Sequence, residues 1–160
     1  MFIRLAEEKD IPGMLDLLLQ VGEVHHQLRP DIFRDGAQKY DRQALLSLLA
    51  DPQRPIYVAD REGFVAGYAF CVRKAVPDNG VMVARSELYI DDLCVDKSCR
   101  GQGIATALYR HVCEAAREMG CGYVTLNVWC GNDSAMAFYE KQGLKPRNIM
   151  MEMPLEDAGC

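Results

Sequence analysis

An α/β fold with a mixed sheet is predicted by three observations along the 160 residues. Apolar runs of β-type composition lie before, between and after runs with helical periodicity. An apolar strand-like run ending at Val95 passes through the turn Arg100-Gly101-Gln102-Gly103-Ile104-Ala105 into an amphipathic run that begins at Ile104. An apolar content of 49% supplies one sizeable core for a chain of this length, so a single domain over residues 1–160 is expected.

The elements follow in order. Phe2 to Ala6 reads as a first strand. A helix comes next, with Asp10 as N-cap, Pro12 in its first turn, Ile11, Met14, Leu15, Leu18 and Leu19 on one face, and Gly22 as its end. Glu23 to Tyr40 has little periodicity and carries His25, His26, Arg29 and Phe33. A second helix is predicted from Asp41 to Ala50, with Ala44, Leu45, Leu48 and Leu49 inward, stopped by Asp51-Pro52. Ile56–Asp60 and Phe64–Val72 form a hairpin through Arg61-Glu62-Gly63, and Pro77-Asp78-Asn79-Gly80 is a loop. A long strand then runs to Val95. Ile104, Ala107, Leu108, Val112, Ala115, Ala116 and Met119 line one face of the helix that follows. Tyr123 to Trp129 is predicted as a strand, Ser134 to Gln142 as a helix and Arg147 to Met153 as a last strand.

Composition narrows the function. A net charge of -5, with no Lys/Arg cluster longer than a pair, argues against nucleic acid as a partner and is compatible with a cationic one. Seven cysteines, an odd number with no Cys-x-x-Cys pair, speak against a disulfide framework and a zinc site; most are expected to be core residues in a reducing cytoplasm. Neither a signal peptide nor an apolar run of about 18 residues is read, so no membrane partner is expected.

The 100–105 turn has the chemistry of a phosphate cradle. Backbone N–H groups at a helix start lack intrahelical acceptors and face an anion together with the positive end of the helix dipole. Gly101 and Gly103 let backbone approach phosphate oxygens, and Arg100 adds a charged donor. A tight strand-to-helix connection is the plainer alternative. No Lys-Ser/Thr pair follows the glycines and no third glycine completes a dinucleotide fingerprint. Further on, Asn132-Asp133-Ser134 caps a short helix that Gly143 ends, with Leu144 folding back on its last turn.

With both motifs in place, the chain resembles the GCN5-related N-acetyltransferase (GNAT) superfamily. Arg100-x-x-Gly103-x-Ala105 is similar to the family's acetyl-CoA pyrophosphate loop, and Asn132-x-x-Ala135-x-x-Phe138-Tyr139-x-x-x-Gly143 to its second motif. The likeness is tight from Leu88 to Leu144 and looser through the first 60 residues, where such enzymes choose their acceptor. It implies a mostly antiparallel sheet of six to seven strands with about four helices, acetyl-CoA as co-substrate and no metal. Arg100, Gly101, Gln102, Gly103, Ile104, Ala105 and Thr106 would hold the cofactor, together with Asn132, Ala135 and Tyr139.

One irregularity carries mechanistic weight. Leu88 and Ile90 share a face by two-residue alternation, whereas Leu93 and Val95 have the opposite parity, so the phase must reset near Asp91-Asp92. A β-bulge there does this and suits paired carboxylates that fit a strand poorly. In the family a bulge here splays two strands and the pantetheine arm lies in the opening. By resemblance Leu93, Cys94 and Val95 make its backbone contacts.

Acetyl transfer to an amine needs a deprotonated nitrogen, a polarised thioester and a protonated leaving thiolate. Asp91 resembles the acidic position that polyamine-type members use as base and amine anchor; Asp92 and Glu87 compete for the role. Tyr139 is the acid that the resemblance implies, and a core aromatic otherwise, although Phe138 suits that core role better. Asn132 bonds pantetheine, caps the helix or does both. His26, Arg29, Phe33 and Tyr89 are expected on the acceptor side. The adjacent His25 and His26 are poorly placed to share a metal ion, His111 reads as a helix residue, and Cys94 and Cys99 as packing. The expected reaction is direct transfer from acetyl-CoA to a small cationic amine, polyamine or amino acid. Peptide or protein amines, or CoA sensing without chemistry, are the alternatives, and a homodimer is an expected assembly.

Overall fold

The computed structural model describes residues 1–155, which divide into two compact units, Met1–Trp129 and a second beginning at Cys130. The first unit holds a five-stranded sheet: β1 (Phe2–Leu5), β2 (Ile56–Arg61), β3 (Phe64–Val76), β4 (Arg85–Val95) and β5 (Tyr123–Leu126). The strands lie in chain order. β1 to β4 pair antiparallel, and β5 joins β4 in parallel.

That last pairing requires a crossover, and helix α3 (Ile104–Glu118) makes it. Ile104, Leu108, Val112, Ala115 and Ala116 are buried from α3 against Ala59, Ala69, Cys71, Leu88 and Ile90 of the sheet. The other sheet face, with Val58, Tyr68, Phe70 and Cys94, is covered by α1 (Ile11–Leu28) and α2 (Arg42–Leu49) through Met14, Leu17, Leu18, Leu45 and Leu48. Period-two alternation along β3 therefore splits its side chains between two cores: Tyr68 and Phe70 face α1, Ala69 and Cys71 face α3. Arg4 ties β1 to this frame by bonding the carboxylates of Asp10 and Asp60 at 2.7 and 2.8 Å.

Local chemistry sets the joints. Asp41 caps α2 by accepting from the Ala44 N–H at 2.8 Å. The β2–β3 hairpin closes in two residues, Glu62 at φ 55° and Gly63 at φ 89°, the geometry that matches the twist of its strands. Asp10 stands at the N-cap of α1, as expected, but its carboxylate makes no bond into that helix and instead accepts from the Glu7 N–H at 2.8 Å in the short 3-10 turn before it.

Several boundaries differ from the sequence reading. Gly22 does not end α1, which continues to Leu28 and takes in His25 and His26. The glycine serves a close approach: a Cβ there would lie 2.6 Å from the carbonyl oxygen of Ala37. β5 stops at Leu126 rather than Trp129, and Arg147 to Met153 forms no strand. The sheet thus has five described strands, not six or seven. The 147–153 sequence has strand composition, but a strand exists only with a partner ladder, and none pairs with it among the described residues. Its Ile149, Met150, Met151 and Met153 are exposed.

In the second unit, α4 (Asp133–Lys141) starts at Asn132, whose side chain accepts from the Ala135 N–H at 3.2 Å. It ends in the paired bonds of a Schellman turn: Gly143, at φ 95°, donates to Glu140 O at 2.9 Å and Leu144 donates to Tyr139 O at 3.1 Å.

Candidate active site

Strand β4 carries the site's central irregularity. Its register with β3 runs Phe70↔Asp92 and then Cys71↔Ile90, so Asp91 is the extra, bulged residue. The bulge resets the alternation: Leu88 and Ile90 before it, and Leu93 and Val95 after it, all belong to the α3-side core. Pairing with β5 ends at Ile90↔Leu126, while β4 continues to Val95. The β4–β5 ladder ends with β5 at Leu126, so Asp91 is the first residue of β4 beyond it.

The two aspartates have different surroundings. Asp91 Oδ2 accepts from Lys39 Nζ at 2.8 Å and from the Tyr40 hydroxyl at 2.9 Å. Burial, then the bond to Asp91, pushes the Tyr40 phenol up to about 12, so it stays a donor. Asp92 accepts from the Tyr68 hydroxyl at 2.8 Å, from β3 two places along the ladder. Burial pushes Asp92 up to about 6, against the lowering effect of the Tyr68 bond and of the Lys39 charge. Glu87, 6% exposed, lies 3.5 Å from the Arg85 guanidinium. Cys94 is buried, its thiol 3.7 Å from Leu17 O and pushed up to about 12 by burial, which makes it a packing residue rather than a nucleophile.

After β4, a 3-10 turn at Lys97–Cys99 leads into the glycines. Gly101 and Gly103 have φ of 76° and 79°, a region that favours glycine, and a Cβ at either would meet nothing within 4 Å. Gly103 is the N-cap of α3, so the first-turn N–H groups of Ile104, Ala105 and Thr106 lack intrahelical acceptors. The Gln102 side chain is turned aside, its Oε1 accepting from Arg61 Nη1 at 2.8 Å, and Arg100 Nε donates to Val95 O at 3.3 Å. What remains at the turn is backbone N–H at the positive end of a 15-residue helix, a setting that suits a phosphate.

In the second unit, Asn132 caps α4 and Ala135 supplies the capped N–H. Tyr139 and Phe138 meet edge to face with centroids 5.0 Å apart, and both are partly buried. The two rings are thus alike in burial, and burial does not single out Phe138 for the core role.

The residues predicted for the acceptor side have structural partners. His26 Nδ1 lies 2.7 Å from Phe33 O, and Arg29 holds Asp31 through two bonds at 2.8 and 2.6 Å. Both brace the turn carrying Phe33, whose ring stacks on His25 at 4.9 Å and meets Trp129 edge-on at 5.1 Å. Tyr89 lies under Lys74 Nζ at 3.5 Å and accepts from Asn127 at 3.0 Å. Sequence reasoning missed Lys39, Tyr40 and Tyr68, because no spacing links them to β4.

Comparison with known proteins places this geometry. The profile of the Acetyltransferase (GNAT) family matches residues 22–144. A glucosamine 6-phosphate N-acetyltransferase of Trypanosoma brucei brucei is 36% identical over 159 residues, covering 96% of this chain and 95% of that protein. A crystal structure of a mutant BH1408 protein from Bacillus halodurans superposes with a TM-score of 0.92 at 29% identity, covering 97% of this chain and 99% of that one. An aminoglycoside N-acetyltransferase in complex with CoA shares the fold, at a TM-score of 0.71 and 15% identity over 95% of this chain and 97% of its own.

Proposed function

The chain belongs to the Acetyltransferase (GNAT) family and is an acetyl-CoA-dependent acyltransferase, and from that premise we propose that it passes the acetyl group directly to a small primary amine anchored by Asp91. The observation that carries this reading is the position of Asp91: it is the bulged residue just past the last β4–β5 pair, and it already holds an ammonium group, that of Lys39.

The pyrophosphate is assigned to the backbone N–H groups from Gly101 to Thr106, with Arg100 adding charge. The pantetheine is assigned to the backbone of Leu93, Cys94 and Val95, with Asn132 and Ala135 assisting. Asp91 draws the acceptor ammonium in and takes its proton; Asp92, whose proton affinity lies near 6, is the alternative base. Glu87 is engaged by Arg85 and ranks third. Tyr139 protonates the departing sulfur. Phe33 and Tyr89 face the acceptor, and His26 and Arg29 hold the Phe33 turn. Single-domain action in a reducing cytoplasm suits the free thiols, and the exposed apolar residues at 149–153 support a homodimer.

Small cationic amines, polyamines and amino acids fit an acidic anchor. An amino-sugar phosphate is a second reading, favoured because the glucosamine 6-phosphate relative matches along nearly its whole length, acceptor-choosing region included. The test is thiol release from acetyl-CoA with glucosamine 6-phosphate, spermidine, single amino acids and a lysine peptide as acceptors. Turnover with one of the small amines is expected. Turnover with the peptide alone would reassign the enzyme to protein amines. Thermal stabilisation by CoA with no thiol release from any amine would leave a CoA-binding protein without chemistry.

A further inference from the structure

In an enzyme that acetylates primary amines, the chain holds one of its own primary amines against the carboxylate assigned to the acceptor. We propose that Lys39 is itself an acetylation site, modified by the same domain from bound acetyl-CoA when no external amine is present. The inference rests on the reading of Asp91 as the amine anchor.

Three features set Lys39 apart from an ordinary surface ion pair. Its Nζ is 2.8 Å from Oδ2 of Asp91, the bulged residue just past the last β4–β5 pair, where on the reading above an acceptor nitrogen has to stand to hand over its proton. The neighbouring Tyr40 fixes the segment: its ring stacks on Phe70 of β3 at 5.6 Å and its hydroxyl reaches the same Asp91 oxygen at 2.9 Å. The Lys39 side chain is 45% exposed, so the amine can lose its proton to solvent and change rotamer without unfolding its surroundings.

The step balances as an ordinary acyl transfer. The Lys39 ammonium gives a proton to Asp91 or to water, and the nitrogen lone pair forms a bond to the thioester carbonyl carbon. The carbon–sulfur bond breaks and the sulfur takes up a proton, giving CoA thiol. The product is a neutral amide, which no longer forms an ion pair with Asp91, so acetylation leaves the segment held by Tyr40 alone and opens the Lys39 side of the carboxylate to another amine.

Lys9 provides an internal reference, because it makes an ion pair of the same length, 2.8 Å to Glu7, with the lysine side chain 63% exposed and away from Asp91. The full-length protein is incubated with acetyl-CoA alone, and acetylation of each lysine is followed by peptide mass spectrometry. Lys39 should acquire its acetyl group at least roughly tenfold faster than Lys9, the lower end of what a positioned base supplies. In Asp91→Asn the Lys39 rate should fall to the Lys9 rate, while CoA still raises the melting temperature. Equal rates at Lys39 and Lys9 in the wild-type protein would overturn the inference. A parallel sample with spermidine and glucosamine 6-phosphate separates the two readings: thiol release there, with Lys39 still unmodified in the sample that lacks them, leaves the acetyltransferase assignment standing and removes self-acetylation. Transfer to neither the external amines nor Lys39 removes both.

Discussion

The Tyr68 hydroxyl donates to Asp92 Oδ2 at 2.8 Å, joining β3 to β4 on the face covered by α1. One neutral donor offsets only part of the cost of enclosing a carboxylate, and burial accordingly pushes Asp92 up to about 6. The pair therefore has a proton affinity suited to exchange near neutral pH, one place along the strand from Asp91, the proposed acceptor anchor.

Stability should carry the sign of that shift. A carboxyl raised in the folded state contributes its full share below the unfolded value near pH 4 and loses it as pH rises through about 6. Asp92→Asn keeps an acceptor for Tyr68 and removes the titration. The variant should be more stable than the wild type at pH 8 by on the order of 2 to 3 kcal/mol, with the gap closing by pH 4. Urea melts at several pH values check this; a gap independent of pH would contradict it.

Asp91→Asn should reduce turnover with small amines most at low pH, where free amine is scarcest, by roughly tenfold or more, and leave CoA affinity nearly unchanged. Rates measured from pH 6 to 9 beside Asp92→Asn and Glu87→Gln decide the base. The residue whose loss removes the acidic limb of the profile holds the role.

Gly103→Val tests the cradle against a matched control. Gly103 and Gly120 have φ of 79° and 71°, and an added Cβ meets nothing within 4 Å at either. Valine should cost about 1 to 2 kcal/mol of strain at both sites. Only Gly103→Val should also lose CoA affinity, by more than roughly tenfold, because its side chain projects beside the N–H groups proposed to bind phosphate. Calorimetric titration with CoA reads the difference.

Tyr139→Phe removes one oxygen and keeps the ring that meets Phe138 at 5.0 Å. If the phenol protonates the leaving thiolate, kcat falls at least roughly tenfold with little change in KM for acetyl-CoA. An acetyl thioester of lower thiol pKa should recover part of the loss. A variant with full kcat and a lower melting temperature would return the residue to a packing role.

Much of this was legible in the chain because local signals and tertiary demands agreed. The parity change between Ile90 and Leu93 is unavoidable once both sides must face one core, and it located the bulge to within a residue. The paired glycines, the Asn132 cap and the Gly143 stop are likewise dictated by backbone geometry. Lys39, Tyr40 and Tyr68 were not legible, since they reach Asp91 and Asp92 across 52, 51 and 24 residues and nothing local distinguishes them. Gly22 misled because a helix can carry a glycine for reasons of clearance rather than termination. The 147–153 sequence misled because β propensity says nothing about whether a neighbouring strand exists.

The clearance at Gly22 makes helix α1 a lever on chemistry that it does not touch. The Ala37 carbonyl sits where a methyl group would go, 2.6 Å from an added Cβ, and two residues later the same segment delivers Lys39 and Tyr40 to Asp91. Gly22→Ala thus forces either the helix or the segment to yield, and the segment, irregular between α1 and α2, is the softer of the two. The disturbance would travel down two peptide units and emerge as a change in how readily a foreign amine competes for the carboxylate. It should register in the acceptor KM while the affinity for CoA, whose proposed cradle lies at the start of α3, stays where it was.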